Sequence, residues 1–305
     1  MGQDKTFLGT QPIGKLLFRL AVPTVIAQLV NMLYNIVDRI YIGHIPGDGD
    51  LALTGVGVCL PLILIISAFA ALVASGGAPR ASIYMGKQDH ATAEKILGGC
   101  FALQLIVSAV LTAVLLLWNR PLLLTFGASG NTIDYAAAYM SVYAIGTVFV
   151  QLTLGMNAFI TAQGFAQIGM RTVLIGAVAN IVLDPLLIFG LFGLPALGIA
   201  GAAIATLLAR VSEFAICVVC AVRSRVIPLD LTALLHPGMD MARRFLKYAS
   251  PVVLNEAAWG LGNSLLTVIL GYTDNSVEML AANAVMGNLS RLLLVVCFGL
   301  GAATA

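Results

Sequence analysis

The chain has 305 residues, 60% of them hydrophobic and 10% charged, with a mean hydropathy of +0.98 and a formal net charge of +2. A soluble globular protein carries about 25% charged residues, so this composition excludes a surface that water alone could solvate, and lipid is the fitting solvent. The small net charge makes no electrostatic case for nucleic acid as a partner.

The first apolar run is long and dotted with polar residues, and no small-residue cleavage site follows a short apolar core. It is therefore read as a retained span rather than a signal peptide. Apolar stretches long enough to cross a bilayer are predicted at 17–43, 51–78, 96–118, 135–160, 171–192, 196–221, 245–271 and 279–303. The connections alternate in charge. Lys5, Lys15 and Arg19, then Arg80, Lys87 and Lys95, then Arg171, and finally Arg223, Arg225, Arg243, Arg244 and Lys247 fall on one side and hold 12 of the 16 basic residues. The opposite connections contain only Arg120 and carry Asp48, Asp50, Asp134, Asp274 and Glu278. The positive-inside rule then puts the N-terminus in the cytoplasm of a multi-pass plasma (inner) membrane protein.

Span 7 repeats span 1. Phe18-Arg19-Leu20-Ala21-Val22-Pro23-Thr24-Val25 lies over Leu246-Lys247-Tyr248-Ala249-Ser250-Pro251-Val252-Val253, and farther along Gln28 meets Glu256, Asn35 meets Asn263 and Gly43 meets Gly271. Both spans start on the same side, which implies a parallel repeat about an axis normal to the membrane. The expected organisation is a six-helix lobe over 1–222, a cytoplasmic inter-lobe loop over 223–244, and the first two helices of a second lobe over 245–305. On that reading the chain is a truncated piece of an all-α protein of about twelve spans.

Polar residues inside spans are expensive and are functional candidates by default. Gln28, Asn31, Asn35 and Asp38 share one face of span 1, with Tyr34 and Tyr41 beside it. Asn180 and Asp184 lie one turn apart on span 5, where Pro185 cannot donate to the Ile181 carbonyl. Asp38 and Asp184 each sit near the outer end of an outward-running helix, so they lie at similar depth. A carboxylate, an amide oxygen and a freed carbonyl are hard ligands, suited to sodium or to a proton shared with water. On span 7, Glu256, Asn263 and Thr267 share a face around Gly260, and Tyr139, Tyr143, Thr147 and Gln151 recur every four residues on span 4. Each of these sets either lines a cavity or packs helices through interhelical hydrogen bonds. Arg210 and Glu213, three apart on span 6, can neutralise each other, while Arg291 on span 8 needs a partner.

Other motifs carry little. Gly47-Asp48-Gly49-Asp50 lacks the remaining ligands of a calcium loop, and His44, His90 and His236 all fall in connections. The five cysteines sit in apolar stretches, and Cys217-x-x-Cys220 lacks the context of a redox or zinc site. No catalytic motif is present, so no enzyme and no organic cofactor is expected.

Taken together, Ala21-Val22-Pro23 followed by Val37-Asp38-Arg39-Ile40-Tyr41-Ile42-Gly43-His44, the run Asn180-Ile181-Val182-Leu183-Asp184-Pro185, and Gly76-Gly77-Ala78-Pro79-Arg80-Ala81-Ser82-Ile83-Tyr84-Met85-Gly86-Lys87 resemble the multidrug and toxic compound extrusion (MATE) family. The resemblance runs along essentially the whole chain. It implies two six-helix lobes around a central cavity that rock between inward- and outward-open forms, acting as a monomer. It also implies that Asp38, Asn180 and Asp184 bind the coupling cation, H+ or Na+; Pro23, Pro185 and Pro251, prolines inside spans, are read from the sequence as hinges. The matching acid Glu256 would serve cation or substrate binding; the polar residues read above, Gln28, Asn31, Tyr34, Asn35, Tyr139, Gln151 and Asn263, are the candidates to face the amphipathic organic cations that the resemblance implies are exported by antiport. A lipid-linked oligosaccharide flippase of the same superfamily is the nearest alternative, disfavoured because the intramembrane charges are mostly acidic. A membrane-embedded enzyme or receptor is the alternative of another class, opposed by the internal repeat.

Overall fold

The computed structural model describes residues 11–223, apart from the side chains at 72 and 75, and scattered helical positions from 251 to 301. Among the described residues the fold is all-helical. The elements are α1 (Ile13–Gly43), α2 (Gly49–Gly76), α3 (Ala78–Gly86), α4 (His90–Leu117), α5 (Asn119–Thr125), α6 (Ile133–Ala162), α7 (Ala166–Ile188), a 3-10 turn (Leu191–Gly193) and α8 (Ile199–Val222). Six of them, α1, α2, α4, α6, α7 and α8, are long and apolar enough to cross a membrane. They are the first six spans read from the sequence.

The connections are more structured than charge and hydropathy alone suggest. The exit of span 2 turns at Gly77, and Ala78–Gly86 forms the separate helix α3 with proline in its first turn, where a missing N–H costs nothing. Asp89 starts α4 earlier than hydropathy indicates, because its carboxylate accepts a hydrogen bond from the Thr92 amide at 3.1 Å. Hydrogen bonds from the Thr92 side chain and amide hold the Asp89 carboxyl below the usual carboxylate range.

Helix α6 is the most buried span, and it packs against α2, α4 and α8. Next to it α8 packs on α7, α7 on α1, and α1 touches α2 near their connection. The cycle α1–α7–α8–α6–α2 therefore closes around an interior, with α4 outside against α6. Polar side chains stitch the scaffold: Gln151 Nε2 donates to the Ile66 carbonyl at 2.7 Å, Gln104 Nε2 to the Gln151 carbonyl at 2.9 Å, and Thr112 to the Ala144 carbonyl at 2.9 Å. In lipid such bonds replace the hydrophobic drive that would hold helices together in water.

At their connected ends, α7 and α8 form a tight hairpin. The Leu197 amide donates to the Leu187 carbonyl at 2.9 Å and the Gly198 amide to the Ile188 carbonyl at 3.1 Å. Gly201 lies against the Leu187 backbone so closely that a side chain there would collide with it. The outward faces remain apolar, as at Leu174, Val178 and Val182 on α7 and Leu33, Ile36 and Ile40 on α1. Lipid can cover them.

Candidate functional site

One line of α7 runs inward at a spacing of four residues: Thr172, Gly176, Asn180 and Asp184, all buried. On α1 the inward line is Tyr34, Asp38 and Ile42. The polar face predicted for α1 divides along this line. Asp38 and Tyr34 form its buried edge, Asn31 is half-buried, and Gln28 and Asn35 lie exposed on the other edge. The Asn35 amide turns back to donate to the Asn31 carbonyl of its own helix at 2.6 Å.

Asp184 and Asp38 meet inside the bundle. Asp184 is 0% exposed and Asp38 7%, and the two carboxyls are within hydrogen-bonding reach of each other. Asn180 Nδ2 donates to Asp184 Oδ1 at 3.1 Å and reaches Thr206 Oγ1 of α8 at 3.5 Å. Asp38 Oδ1, Asp184 Oδ2 and Asn180 Oδ1 are buried with no hydrogen-bond partner among the described residues. Two carboxylates cannot donate to each other, and buried acceptors without donors are costly. A shared proton or a small hard cation satisfies them, and the oxygens on hand (two carboxyls, an amide and a hydroxyl) suit either. Pro185 lies inside α7 and removes the donor that would pair with the Ile181 carbonyl.

A second layer sits one helical turn away. Arg210 of α8 pairs with Glu213 at 2.7 Å and crosses to α1, where its Nη2 donates to Tyr34 Oη and to Asn31 Oδ1 at 3.4 Å. Its guanidinium carbon lies 5.5 Å from the Tyr34 ring centroid. Tyr139 and Tyr143 of α6 stack with centroids 6.1 Å apart and approach the same interior, Tyr139 beside Asp38 and Tyr143 beside Arg210.

The structure thus brings Asp38, Asn180 and Asp184 together, with Tyr34 and Tyr139 alongside. Gln151 lies fully buried between α6 and α2, in helix packing rather than on this interior. Pro23 and Pro185 lie inside α1 and α7. Pro251 is an exposed helical position, and Glu256, Asn263 and Arg291 lie outside the described residues. Sequence reasoning missed Thr206 and the reach of Arg210 to α1. The only signal was the spacing Thr206, Arg210, Glu213, Cys217, which puts a polar line on one face of α8.

The MatE family profile matches residues 23–186, more than half of the chain and most of this bundle. The chain belongs to the MatE family. Among curated relatives, this MatE-family chain is 26% identical over 304 residues to a FAD transporter of Shewanella oneidensis, covering 98% of the chain and 65% of that protein. It is 27% identical over 194 residues to the multidrug export protein MepA of Staphylococcus haemolyticus, covering 64% of the chain and 42% of that protein. It therefore spans less than two thirds of either relative's length. Among solved structures, an outward-facing MATE-family multidrug resistance transporter superposes with a TM-score of 0.88 at 24% identity, over 100% of this chain and 66% of that one. A MATE crystal structure in the bent conformation gives 0.87 at 25% identity with the same coverage.

Proposed function

We propose that this chain works in cation-coupled export of amphipathic organic molecules across a cell membrane, with H+ or Na+ as the driving ion. The observation that carries the reading is the Asp38–Asp184 pair: buried acids on different helices, facing each other with unmatched oxygens. Emptied of its cation, the pair repels and α1 is driven from α7. Filled, the pair draws the two helices together. A cation and a substrate that prefer opposite positions of α1 exchange by mutual exclusion, and each shifts the other's affinity by the same factor. Pro23, inside α1, is where the helix yields. Membership of the MatE family and relatives named for multidrug export and FAD transport support a small organic cargo. Alternating access between two lobes, with the N-terminus cytoplasmic, fits the loop charges and the internal repeat.

The test is ethidium efflux from cells expressing the gene product that contains this chain, under a proton or a sodium gradient imposed separately. Efflux driven by one gradient and lost in Asp38→Asn supports the reading and names the ion. Efflux indifferent to both gradients, or unchanged in both Asp38→Asn and Asp184→Asn, overturns it.

A further inference from the structure

Arg210 is not needed by the cation chemistry, yet its neighbourhood is built around it. An ion pair inside a membrane protein is costly to desolvate, and an apolar pair of similar volume is often as stable or more so. Even so, α7 makes room for this one. Gly176 faces Glu213 so closely that a Cβ on it would overlap the carboxylate, which is 2% exposed. Glu213 is thereby fixed inside the α7–α8 packing.

Arg210 differs from its partner in two ways. It keeps 14% of its side-chain exposure, and beyond Glu213 its acceptors are neutral, the Tyr34 hydroxyl and the Asn31 amide oxygen. A guanidinium carries five N–H donors, and these bonds engage three of them. Its planar fork matches a carboxylate or phosphate, and bonds to such a group are charge-assisted and stronger than those to a phenol or an amide. An oxyanion arriving from the exposed edge of α1, past Gln28 and Asn35, would outcompete Tyr34 and Asn31 for the fork while leaving the Glu213 anchor in place. Along α1, Asn31 and Tyr34 then face a cationic subsite, and Asp38, one turn on, faces an acidic one.

We propose that Arg210, seated on Glu213, is a subsite for an oxyanion, a carboxylate or phosphate, carried by the transported molecule. This rests on the transport reading above and narrows its substrate class.

The test uses gradient-driven uptake into everted vesicles made from cells expressing the gene product. Two matched probe pairs are compared: norfloxacin with its methyl ester, and 4-methylumbelliferyl phosphate with 4-methylumbelliferone. Ethidium is the control for transport itself. The wild type is expected to favour the anion-bearing member of at least one pair by about tenfold or more, the size of a charge-assisted hydrogen bond. The pair that discriminates shows whether the group is a carboxylate or a phosphate. In Arg210→Met/Glu213→Gln, which removes both charges together, the within-pair ratio falls to about one. Should that variant not accumulate in the membrane, Arg210→Lys keeps the charge but loses the fork, and the ratio is expected to fall severalfold. Ethidium uptake with no discrimination in the wild type, or a ratio unchanged in the variants, overturns the subsite alone. No gradient-driven uptake of any probe, ethidium included, overturns the transport reading and the subsite with it.

Discussion

Two sets of buried polar residues sit in this bundle, and they are built on opposite terms. Around α6, the amide donors of Gln104 and Gln151 meet backbone carbonyls of neighbouring helices. Between α1 and α7, acceptor meets acceptor: Asp38 faces Asp184, and their outlying oxygens find no donor among the described residues. The first arrangement pairs each donor with a carbonyl and ties the helices together, leaving Gln151 Oε1 as its one amide oxygen without a donor among the described residues. The second is complete only when a proton or a cation enters. A polar residue in lipid is thus not a functional signal by itself; what distinguishes the two sets is whether the neighbours can answer it.

The sharpest way to break this contrast is Asp38→Asn. It supplies Asp184 with an amide donor, so gradient-driven ethidium efflux is expected to fall by up to about 100-fold, within the span of typical coupling energies. The thermal stability of the purified protein is expected to rise, because a repulsive contact becomes a hydrogen bond. A fall in both would put Asp38 with the packing residues. Next in size is Gly176→Val, whose side chain must displace the Glu213 carboxylate. Overpacking of this kind costs about 1–3 kcal/mol and is read as a lower melting temperature, with Gly130→Val, where a Cβ meets nothing within 4 Å, as the reference. A smaller effect is expected for Gln151→Leu, which removes one interhelical donor. It should cost about 0.6 kcal/mol, the average for such bonds in a membrane bundle, with the within-pair probe ratios and the driving ion unaltered. A change of driving ion would move Gln151 from the scaffold to the site.

The smallest effect concerns Asp89, outside the membrane. Its carboxyl is held below the usual range by the Thr92 hydrogen bonds, so its contribution is present above the unfolded value and disappears as pH falls through the folded one. Hydrogen exchange at the start of α4 should therefore quicken only in acid, and at every pH in Asp89→Ala.

The six spans were legible because lipid imposes length and apolarity on any helix that crosses it. The depth match of Asp38 and Asp184 was legible too, since both could be counted from helix ends. What one dimension could not give was azimuth. The polar arc of α1 is broad, and nothing in its residues says which edge turns inward, so Gln28 and Asn35 read the same as Asp38 until α7 is in place. Thr206 and Arg210 were hidden for a related reason. Their partners lie 26 and 176 residues away in sequence, and a threonine or an ion pair on an apolar helix is unremarkable without them. The short helix α3 escaped because its glycines and proline read as a loop, although proline at a helix start favours the helix.

The hairpin joining α7 to α8 has a mechanical consequence. Backbone bonds at Leu197 and Gly198 and the bare contact at Gly201 lock the two helices at their connected ends. Asn180 and Asp184 on one arm therefore keep a constant spacing from Thr206 and Arg210 on the other. Helix α1 meets α2 in a similar bare contact, Gly49 against the Gly43 backbone, and its polar contacts across the bundle are Asp38 at one level and Tyr34 and Asn31 at the next. In the proposed exchange, the pair of helices would be the fixed jaw of a vice and α1 the jaw that travels.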